Sequence, residues 1–192
     1  MNEDWNSFAK ALDACKKCGL GETRLNVVAG RGTSLDAPLM FIGEGPGEQE
    51  DIKGEAFVGK AGKLLDLLLE AQGFQLHQYY IANIVKCRPP DNRVPTDSEA
   101  QACLPWLRFQ VKHIRPAIVV CLGSTAARYI VDKDIKITRS RGIWIEKPGF
   151  FSVLPTYHPS AVLRDPAKRK DFFTDIRKVR DKLIEMELWE GA

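Results

Sequence analysis

Four cysteines have the residue type and the spacing of a metal centre. Cys15 and Cys18 form a C-x-x-C pair, and Cys87 and Cys103 follow at long intervals. A C-x-x-C pair alone is also typical of a redox dithiol, but two further thiols beside breaks in regular structure favour metal ligation. Four thiolates suit zinc or an iron-sulfur cluster, and the long intervals are unlike the regular spacing of a zinc ribbon.

Packing is the competing role for two of the five cysteines. Cys121 stands within the apolar run 119–122, where a buried and unreactive thiol is expected. Cys103 falls on the apolar face of a predicted helix, so a packing role stays open for it as well. We expect no disulfide framework, because a chain of this length can close a core without cross-links and cytosolic thiols stay reduced.

A glycine-rich loop, residues 44–59, follows the apolar run 38–43, and its first half, residues 44–51, carries four carboxylates. Glycines at the carboxyl end of a strand let a ligand approach the backbone closely. The carboxylates cannot all pair with cations, so we expect one of them to act on water, whereas Glu48 fits a solvated turn. The four residues are Glu44, Glu48, Glu50 and Asp51.

Part of the same loop imitates a nucleotide-binding P-loop. Gly54, Gly59 and Lys60 have the P-loop spacing, but the next residue, Ala61, has no hydroxyl for magnesium. The preceding residues 51–53 are also no apolar strand. We therefore expect neither a nucleotide nor a catalytic metal, and binding of ATP with magnesium would favour the competing interpretation, a nucleotide-phosphate hydrolase.

A third candidate block, residues 156–164, follows the last predicted core strand. His158 in this block would lie at the edge of the sheet where ligands of α/β folds bind. His77 and His113 lie in a connection and at a helix end, where surface or capping roles are common. His158 is therefore the strongest histidine candidate for chemistry.

Apolar runs alternate with segments of helical periodicity along the chain. The helical segments include residues 61–72, residues 123–131 and a last helix that begins near Pro166. This alternation predicts an α/β sandwich around a mainly parallel sheet. The runs predict strands over residues 38–43, 79–85, 117–122 and 151–154, with a further short strand over 143–145.

One predicted helix has a clear start and an obstacle inside it. Thr96 and Glu99 form a capping box that opens the helix. Pro105 lacks an N–H group and clashes with the preceding turn, so it predicts a kink or a new start at that position.

Length and composition indicate one globular domain over residues 1–192. The chain is 44% hydrophobic and 28% charged, which is ordinary for a soluble protein. No apolar run approaches the roughly 20 residues that span a bilayer, and the N-terminus has no signal-peptide core. We therefore expect a cytoplasmic protein without a membrane partner. The net charge of +3 is compatible with nucleic acid but does not decide the partner.

Three blocks taken together resemble the motifs of the family 4 uracil-DNA glycosylases. GEGPGEQED with AFVGKAG, then YIANIVKCRPP, then YHPSAVLR occur in the family's order, within residues 15–164. The resemblance implies a four-stranded, mainly parallel sheet sandwiched between helices. It implies a DNA repair enzyme that flips uracil out of DNA, hydrolyses the N-glycosidic bond and leaves an abasic site. It also implies a structural 4Fe-4S cluster bound by Cys15, Cys18, Cys87 and Cys103.

The resemblance also assigns roles in the reaction. Glu44 would stabilise the oxocarbenium-like sugar and orient a water, and His158 would donate a hydrogen bond to uracil O2 as negative charge accumulates there. The amide of Asn83 would read O4 and N3–H of uracil. Phe57 would stack on the flipped ring, although a core position is its alternative, and Glu50 would crowd the C5 position against the methyl group of thymine.

Further residues would position the substrate DNA. Gly45 would let its backbone approach the base, and Val162 or Leu163 would fill the gap that the flipped nucleotide leaves. Arg164 would contact phosphate. We expect a monomer. The alternative to the enzyme is a non-catalytic, cluster-containing module that binds nucleic acid or senses redox state.

Overall fold

A central sheet organises the chain. The computed structural model describes residues 3–147, 149 and 151–190. The strands are β1 (Arg31–Gly32), β2 (Leu39–Gly43), β3 (Tyr79–Asn83), β4 (Ile118–Leu122), β5 (Ile145–Lys147) and β6 (Phe151–Thr156). Within the described residues they form one six-stranded sheet in the order β1-β3-β2-β4-β6-β5. The inner strands are parallel, and the edge strands β1 and β5 run antiparallel to their neighbours.

Helices connect the strands and cover the sheet. They are α1 (Glu3–Asp13), α2 (Leu20–Thr23), α3 (Glu48–Lys53), α4 (Lys60–Ala71), α5 (Asp97–Ile114), α6 (Ser124–Ile130), α7 (Ile137–Ser140), α8 (Pro159–Arg164) and α9 (Arg169–Glu185). Across the described residues, every helix falls short of the length and hydropathy that a membrane crossing requires.

Both faces of the sheet are buried. Along β2, Met40 and Ile42 pack in one core cluster, whereas Leu39 and Phe41 pack in the other, because successive side chains of a strand alternate between faces. Helices α5 and α6 contribute to the first cluster, and α4 and α9 to the second. The predicted α/β class, with a mainly parallel sheet between helices, is confirmed.

The sheet adds two edge strands to the four predicted core strands, and one of them, β5, corresponds to the further short strand predicted over 143–145. The inner strands are those predicted from apolar runs, because strands buried on both faces are apolar throughout. Strand β1 is two residues long and includes Gly32 with a φ of +105°, so neither length nor alternation marks it in the sequence. Strand β5 covers Ile145–Lys147 instead of 143–145. Both additions lie at the edges of the sheet and leave its centre as predicted.

Helix α5 begins as predicted but is not interrupted at Pro105. Its capping box is present, since Thr96 Oγ1 accepts from the Glu99 amide at 3.3 Å and the Glu99 carboxylate accepts from the Thr96 amide at 2.8 Å. The helix then continues to Ile114 with Pro105 inside it. A proline inside a helix costs about 3 kcal/mol. Leu104 and Leu107, on either side of it, are buried in the same core cluster, and this packing stabilises the continuous helix.

The inner strands bring distant segments of the chain to one edge. Strands β2 and β3 end in register at Gly43 and Asn83, and β4 and β6 end in register at Leu122 and Thr156. The segments that follow these ends therefore lie side by side. This edge is where parallel α/β sheets bind ligands.

Candidate active site

A cavity of about 640 Å³ opens at this edge of the sheet. The volume lies in the range of small-molecule pockets. Its lining includes all six residues that the sequence predicts for catalysis and base binding: Glu44, Gly45, Glu50, Phe57, Asn83 and His158. Three separate stretches of chain thus converge on one pocket.

Asn83 presents an unused amide to this pocket. Its side chain is 1% exposed, and neither Nδ2 nor Oδ1 has a hydrogen-bond partner among the described residues. A buried polar group without a partner costs about 1–3 kcal/mol. Gly43, the ladder partner of Asn83, makes room for the amide, because a Cβ at Gly43 would lie 2.5 Å from Oδ1. The site therefore keeps both a donor and an acceptor free for a ligand.

Phe57 forms an aromatic wall of the pocket. Its ring centroid lies 5.6 Å from that of His158, and the rings are tilted by 39°. The residue is buried and has a φ of +56°, an uncommon conformation for a bulky residue. A Cβ at Gly62 would lie 1.6 Å from the carbonyl oxygen of Phe57, so the first turn of α4 can pack against the Phe57 main chain only because residue 62 is glycine.

Two of the four loop carboxylates are unavailable for chemistry in the pocket. Glu48 is exposed at the start of α3, as predicted for a solvated turn. Asp51 is buried, and its Oδ1 accepts from the amides of Leu25 and Asn26 at 3.0 and 3.2 Å. Asp51 therefore ties the segment before β1 to α3.

The Glu50 carboxylate joins the two glycine segments of the loop. One oxygen accepts from the Gly47 amide at 3.1 Å, and the other accepts from the Gly59 amide at 2.8 Å. The amide of Gly59, one of the glycines with P-loop spacing, is thus bonded to a carboxylate. Contact between Glu50 and the C5 position of a base stays a prediction.

Of the two carboxylates among the described residues that line the pocket, Glu44 and Glu50, Glu44 is the one with an oxygen to spare. Its Oε2 accepts from the Thr125 hydroxyl at 2.5 Å, and its Oε1 has no protein partner among the described residues. Oε1 can therefore orient a water. Sequence reasoning missed Thr125, because a threonine in the first turn of a helix is ordinary there and only the fold brings it to Glu44.

The hydrogen bonds of His158 define its tautomer. Nδ1 accepts from the Ser160 amide at 3.2 Å and lies 2.8 Å from the Ser160 hydroxyl. In the neutral ring the proton therefore resides on Nε2, which becomes a donor. Burial, and next the positive charge of Arg164, lower the pKa of His158 to about 4. His158 is thus a neutral hydrogen-bond donor at physiological pH.

We expect the imidazole of His158 to titrate near pH 4. The unfolded chain protonates this ring near pH 6.5. The contribution of His158 to the free energy of unfolding is therefore fully present above about pH 6.5 and is lost as the pH falls toward 4. Carbon–proton NMR shifts of the ring, assigned by comparison with a His158→Asn variant, measure the titration directly. A midpoint near 6.5 in the folded protein would contradict the lowered pKa of His158 and its assignment as a neutral ring.

The four predicted metal ligands line a second, small cavity. Cys15, Cys18, Cys87 and Cys103 surround it, and Cys87 and Cys103 are buried. No group of three or more His, Cys, Asp or Glu in the described residues could hold a metal ion as it stands.

Three of these sulfurs accept hydrogen bonds from nitrogen. Trp106 Nε1 lies 3.3 Å from Cys15 Sγ, Arg24 Nη1 lies 3.1 Å from Cys87 Sγ, and the Lys86 amide lies 3.3 Å from Cys103 Sγ. Burial raises the pKa of Cys103 to about 11. A bound metal would overcome this shift, because coordination deprotonates a thiol. Donors aimed at sulfur favour the thiolate form that metals bind.

Cys121 has the packing role predicted for it. The residue is fully buried in β4, within the first core cluster. Burial raises the pKa of its thiol, which suits an unreactive cysteine.

The structure separates the residues predicted to meet DNA. Val162 is 1% exposed and packs in the core, which favours Leu163 as the residue that enters the gap in DNA, and this role stays a prediction. Leu163 is 42% exposed on α8. Arg164, the last residue of α8, lines the pocket with its cationic side chain.

Known proteins resemble this chain over most of its length. Residues 29–179 match the sequence profile of the uracil DNA glycosylase superfamily. A type-4 uracil-DNA glycosylase from Thermotoga maritima is 46% identical over 175 residues, which cover 90% of this chain and 91% of that protein. Those from Sulfurisphaera tokodaii and Archaeoglobus fulgidus are 44% and 39% identical, cover 89% and 92% of this chain, and are themselves covered to 81% and 92%.

Proposed function

The chain belongs to the uracil-DNA glycosylase superfamily, among its type-4 enzymes, and we propose that Glu44, Asn83 and His158 carry out its reaction. It is a DNA repair enzyme that hydrolyses the N-glycosidic bond of uracil in DNA, releasing uracil and leaving an abasic site. The non-catalytic alternative is not favoured, because the similar proteins are glycosylases. The buried and unpartnered amide of Asn83 is the observation that carries the proposal.

Asn83 selects the base. A nucleotide must rotate out of the helix before the enzyme can reach its glycosidic bond. The Asn83 amide then donates to O4 and accepts from N3–H of uracil, whereas cytosine presents the opposite pattern at both positions. Phe57 stacks on the ring, and the backbone at Gly45 approaches its edge. Glu50 holds the two glycine segments that shape this pocket.

His158 stabilises the departing base. Negative charge accumulates on uracil as the glycosidic bond breaks, and a donor already oriented toward O2 stabilises that charge. The neutral Nε2–H tautomer of His158 supplies such a donor. Because the ring does not need to be cationic, activity at neutral pH is compatible with its low pKa.

Glu44 acts on the sugar side of the bond. Its negative charge stabilises the oxocarbenium-like sugar, and the unpartnered Oε1 orients or deprotonates the attacking water. The Thr125 hydroxyl on Oε2 restrains the carboxylate. Water then adds to C1′ as uracil leaves.

Two residues of α8, Leu163 and Arg164, hold the distorted DNA. Leu163 has the exposed apolar side chain that can enter the gap left by the flipped nucleotide. Arg164 contacts phosphate beside it. Cytoplasmic location, a monomeric state and a single domain over residues 1–192 stay predictions.

An oligonucleotide assay tests the assignment. The protein is incubated with a single strand that bears one uracil, and abasic sites are then cleaved with alkali. We expect scission at the uracil by the native chain and none by a variant that combines Glu44→Ala, Asn83→Ala and His158→Ala. Scission that survives the triple change would move the reaction to another site.

We also infer that the four thiols of the second cavity bind a 4Fe-4S cluster. Its ligand set is all sulfur, and N–H donors already bond to three of the four sulfurs, as is common around such clusters. A bound cluster would cross-link the segment at Cys15 and Cys18 to the segment after β3 and to α5. This cross-link offsets the entropy cost of ordering the long loop after Cys87.

Paired cysteine variants test the cluster. We expect Cys103→Ser to lose iron, inorganic sulfide and the broad visible absorbance, and to unfold at a lower temperature. Cys121→Ser, a matched change at a buried cysteine in the core, should keep the full content of four irons per chain. Equal iron content in the two variants, or stoichiometric zinc in the native chain, would refute the inference.

A further inference from the structure

A lysine lies in the core behind the pocket. Lys86 is 0% exposed. Its ammonium donates to Gln110 Oε1 at 2.6 Å and to the main-chain carbonyl of Asn83 at 2.9 Å. No carboxylate among the described residues forms an ion pair with it. A buried ammonium is costly unless its hydrogen-bonding groups are satisfied. The role of the Lys86 side chain therefore follows from these two acceptors.

The Asn83 carbonyl needs this donor because the sheet provides none. The Ile84 amide donates to the Gly43 carbonyl at 2.9 Å, so residue 84 faces β2. Main-chain groups alternate sides along a strand, and the carbonyl of Asn83 therefore faces the opposite side. There, β1 pairs with β3 only at Tyr80 and Ile81. The Asn83 carbonyl lies beyond the end of β1, and Lys86 donates the hydrogen bond that a neighbouring strand would otherwise supply.

Gln110 holds Lys86 in this position. Gln110 is also 0% exposed, and its Nε2 donates to the Ala29 carbonyl at 2.8 Å and to the Tyr80 hydroxyl at 3.2 Å. These two bonds orient the amide so that Oε1 is left for Lys86. The chain of contacts thus runs from a buried residue of α5 to the end of β3.

We propose that Lys86 is a positioning residue for Asn83, holding the main chain from which the Asn83 amide reaches the base. The inference rests on the proposed role of Asn83 in base reading. Lys86 is not among the described residues that line the pocket, so its influence on the reaction passes through Asn83. A base-reading amide displaced by a fraction of an ångström makes poorer hydrogen bonds to uracil, and such misplacement is costly in rate.

A double-mutant cycle distinguishes positioning from general support of the fold. The variants are Lys86→Met, Asn83→Ala and the combination of both, measured as kcat/KM for uracil excision. We expect Lys86→Met to lower kcat/KM by about 10- to 100-fold in the native background and by no more than about twofold in the Asn83→Ala background. A residue that only supports the fold would reduce kcat/KM by the same factor in both backgrounds, and that result would overturn the proposal.

Two measurements exclude other routes to the loss. Iron content and thermal unfolding are recorded for every variant, and loss of iron in Lys86→Met would also overturn the proposal, because the effect would then pass through the cysteines. Lys178→Met is a control at an exposed lysine. Lys178 also donates to a main-chain carbonyl, that of Gly142 at 2.6 Å, and this change should leave kcat/KM within about twofold of the native value.

Gln110 supplies a second variant in case Lys86→Met does not fold. Gln110→Met removes the acceptor of Lys86 and should repeat the background-dependent loss. A loss by the same factor in the native and the Asn83→Ala backgrounds would overturn the proposal. If Asn83→Ala itself has native activity, the proposed role of Asn83 fails. If Asn83→Ala is impaired but Lys86→Met reduces kcat/KM by the same factor in both backgrounds, only the proposal for Lys86 fails.

Discussion

Replacement of Asn83 by leucine is expected to abolish most uracil excision while making the protein more stable. The change removes two hydrogen bonds to uracil, each worth about 1–3 kcal/mol, so kcat/KM should fall by about 30- to 10⁴-fold. Leucine has the same number of side-chain heavy atoms as asparagine. It also removes a buried amide that has no partner in the free enzyme, and the free energy of unfolding should therefore rise by about 1–2 kcal/mol.

Asn26→Leu is a control for which we expect the opposite change in the free energy of unfolding. The Asn26 amide donates to the carbonyls of Asp51 and Ile52 at 2.8 and 3.1 Å, so it stabilises the fold. We expect Asn26→Leu to lower the unfolding temperature and to leave kcat/KM nearly unchanged. Steady-state excision and thermal unfolding of both variants measure the two effects. If Asn83→Leu were destabilised as well as inactive, the amide would be a structural group and not one kept free for a base.

Much of the scaffold could be predicted because its elements carry local signals. The inner strands are continuous apolar runs, and the Thr96 capping box marks the start of α5. The helix predicted over 61–72 lies at Lys60–Ala71, and the one over 123–131 at Ser124–Ile130. The observed boundaries differ from the predicted ones by one residue. Main-chain capping decides where a helix begins and ends, and the side-chain pattern does not record it.

Short elements escaped prediction because tertiary contacts stabilise them. Helix α3 lies inside the predicted loop 44–59, and its stability comes from Asp51 and Glu50, whose partners are distant main-chain amides. Strand β1 has only two residues. The continuity of α5 through Pro105 depends on packing against the sheet, which outweighs a strong local preference.

The site could be predicted where side chains carry the chemistry, and not where they act through other residues. Glu44 and His158 are conspicuous residue types at strand ends, Asn83 is assigned through the family resemblance, and the pocket contains all three. Thr125 and Lys86 act on Glu44 and on the Asn83 main chain, and only the fold reveals these contacts. Val162 and Leu163 are adjacent apolar residues, and burial alone distinguishes them.

Replacement of Glu44 by glutamine is expected to remove catalysis while preserving binding. Glutamine can still accept a hydrogen bond from the Thr125 hydroxyl, so the side chain should keep its place, but it carries no charge to stabilise the sugar and is too weak a base for water. Loss of a general base typically costs about 10²–10⁴-fold, and we expect the fall to appear in kcat with KM nearly unchanged. Single-turnover excision at saturating enzyme isolates this step.

Glu48→Gln is the matched control, because Glu48 is a glutamate of the same loop that faces solvent. It should retain the native single-turnover rate. Binding of both variants to DNA that contains 2′-fluoro-deoxyuridine, whose glycosidic bond resists cleavage, should match that of the native chain. A Glu44→Gln rate within about threefold of the native value would assign the water to another group, since a true general base contributes far more.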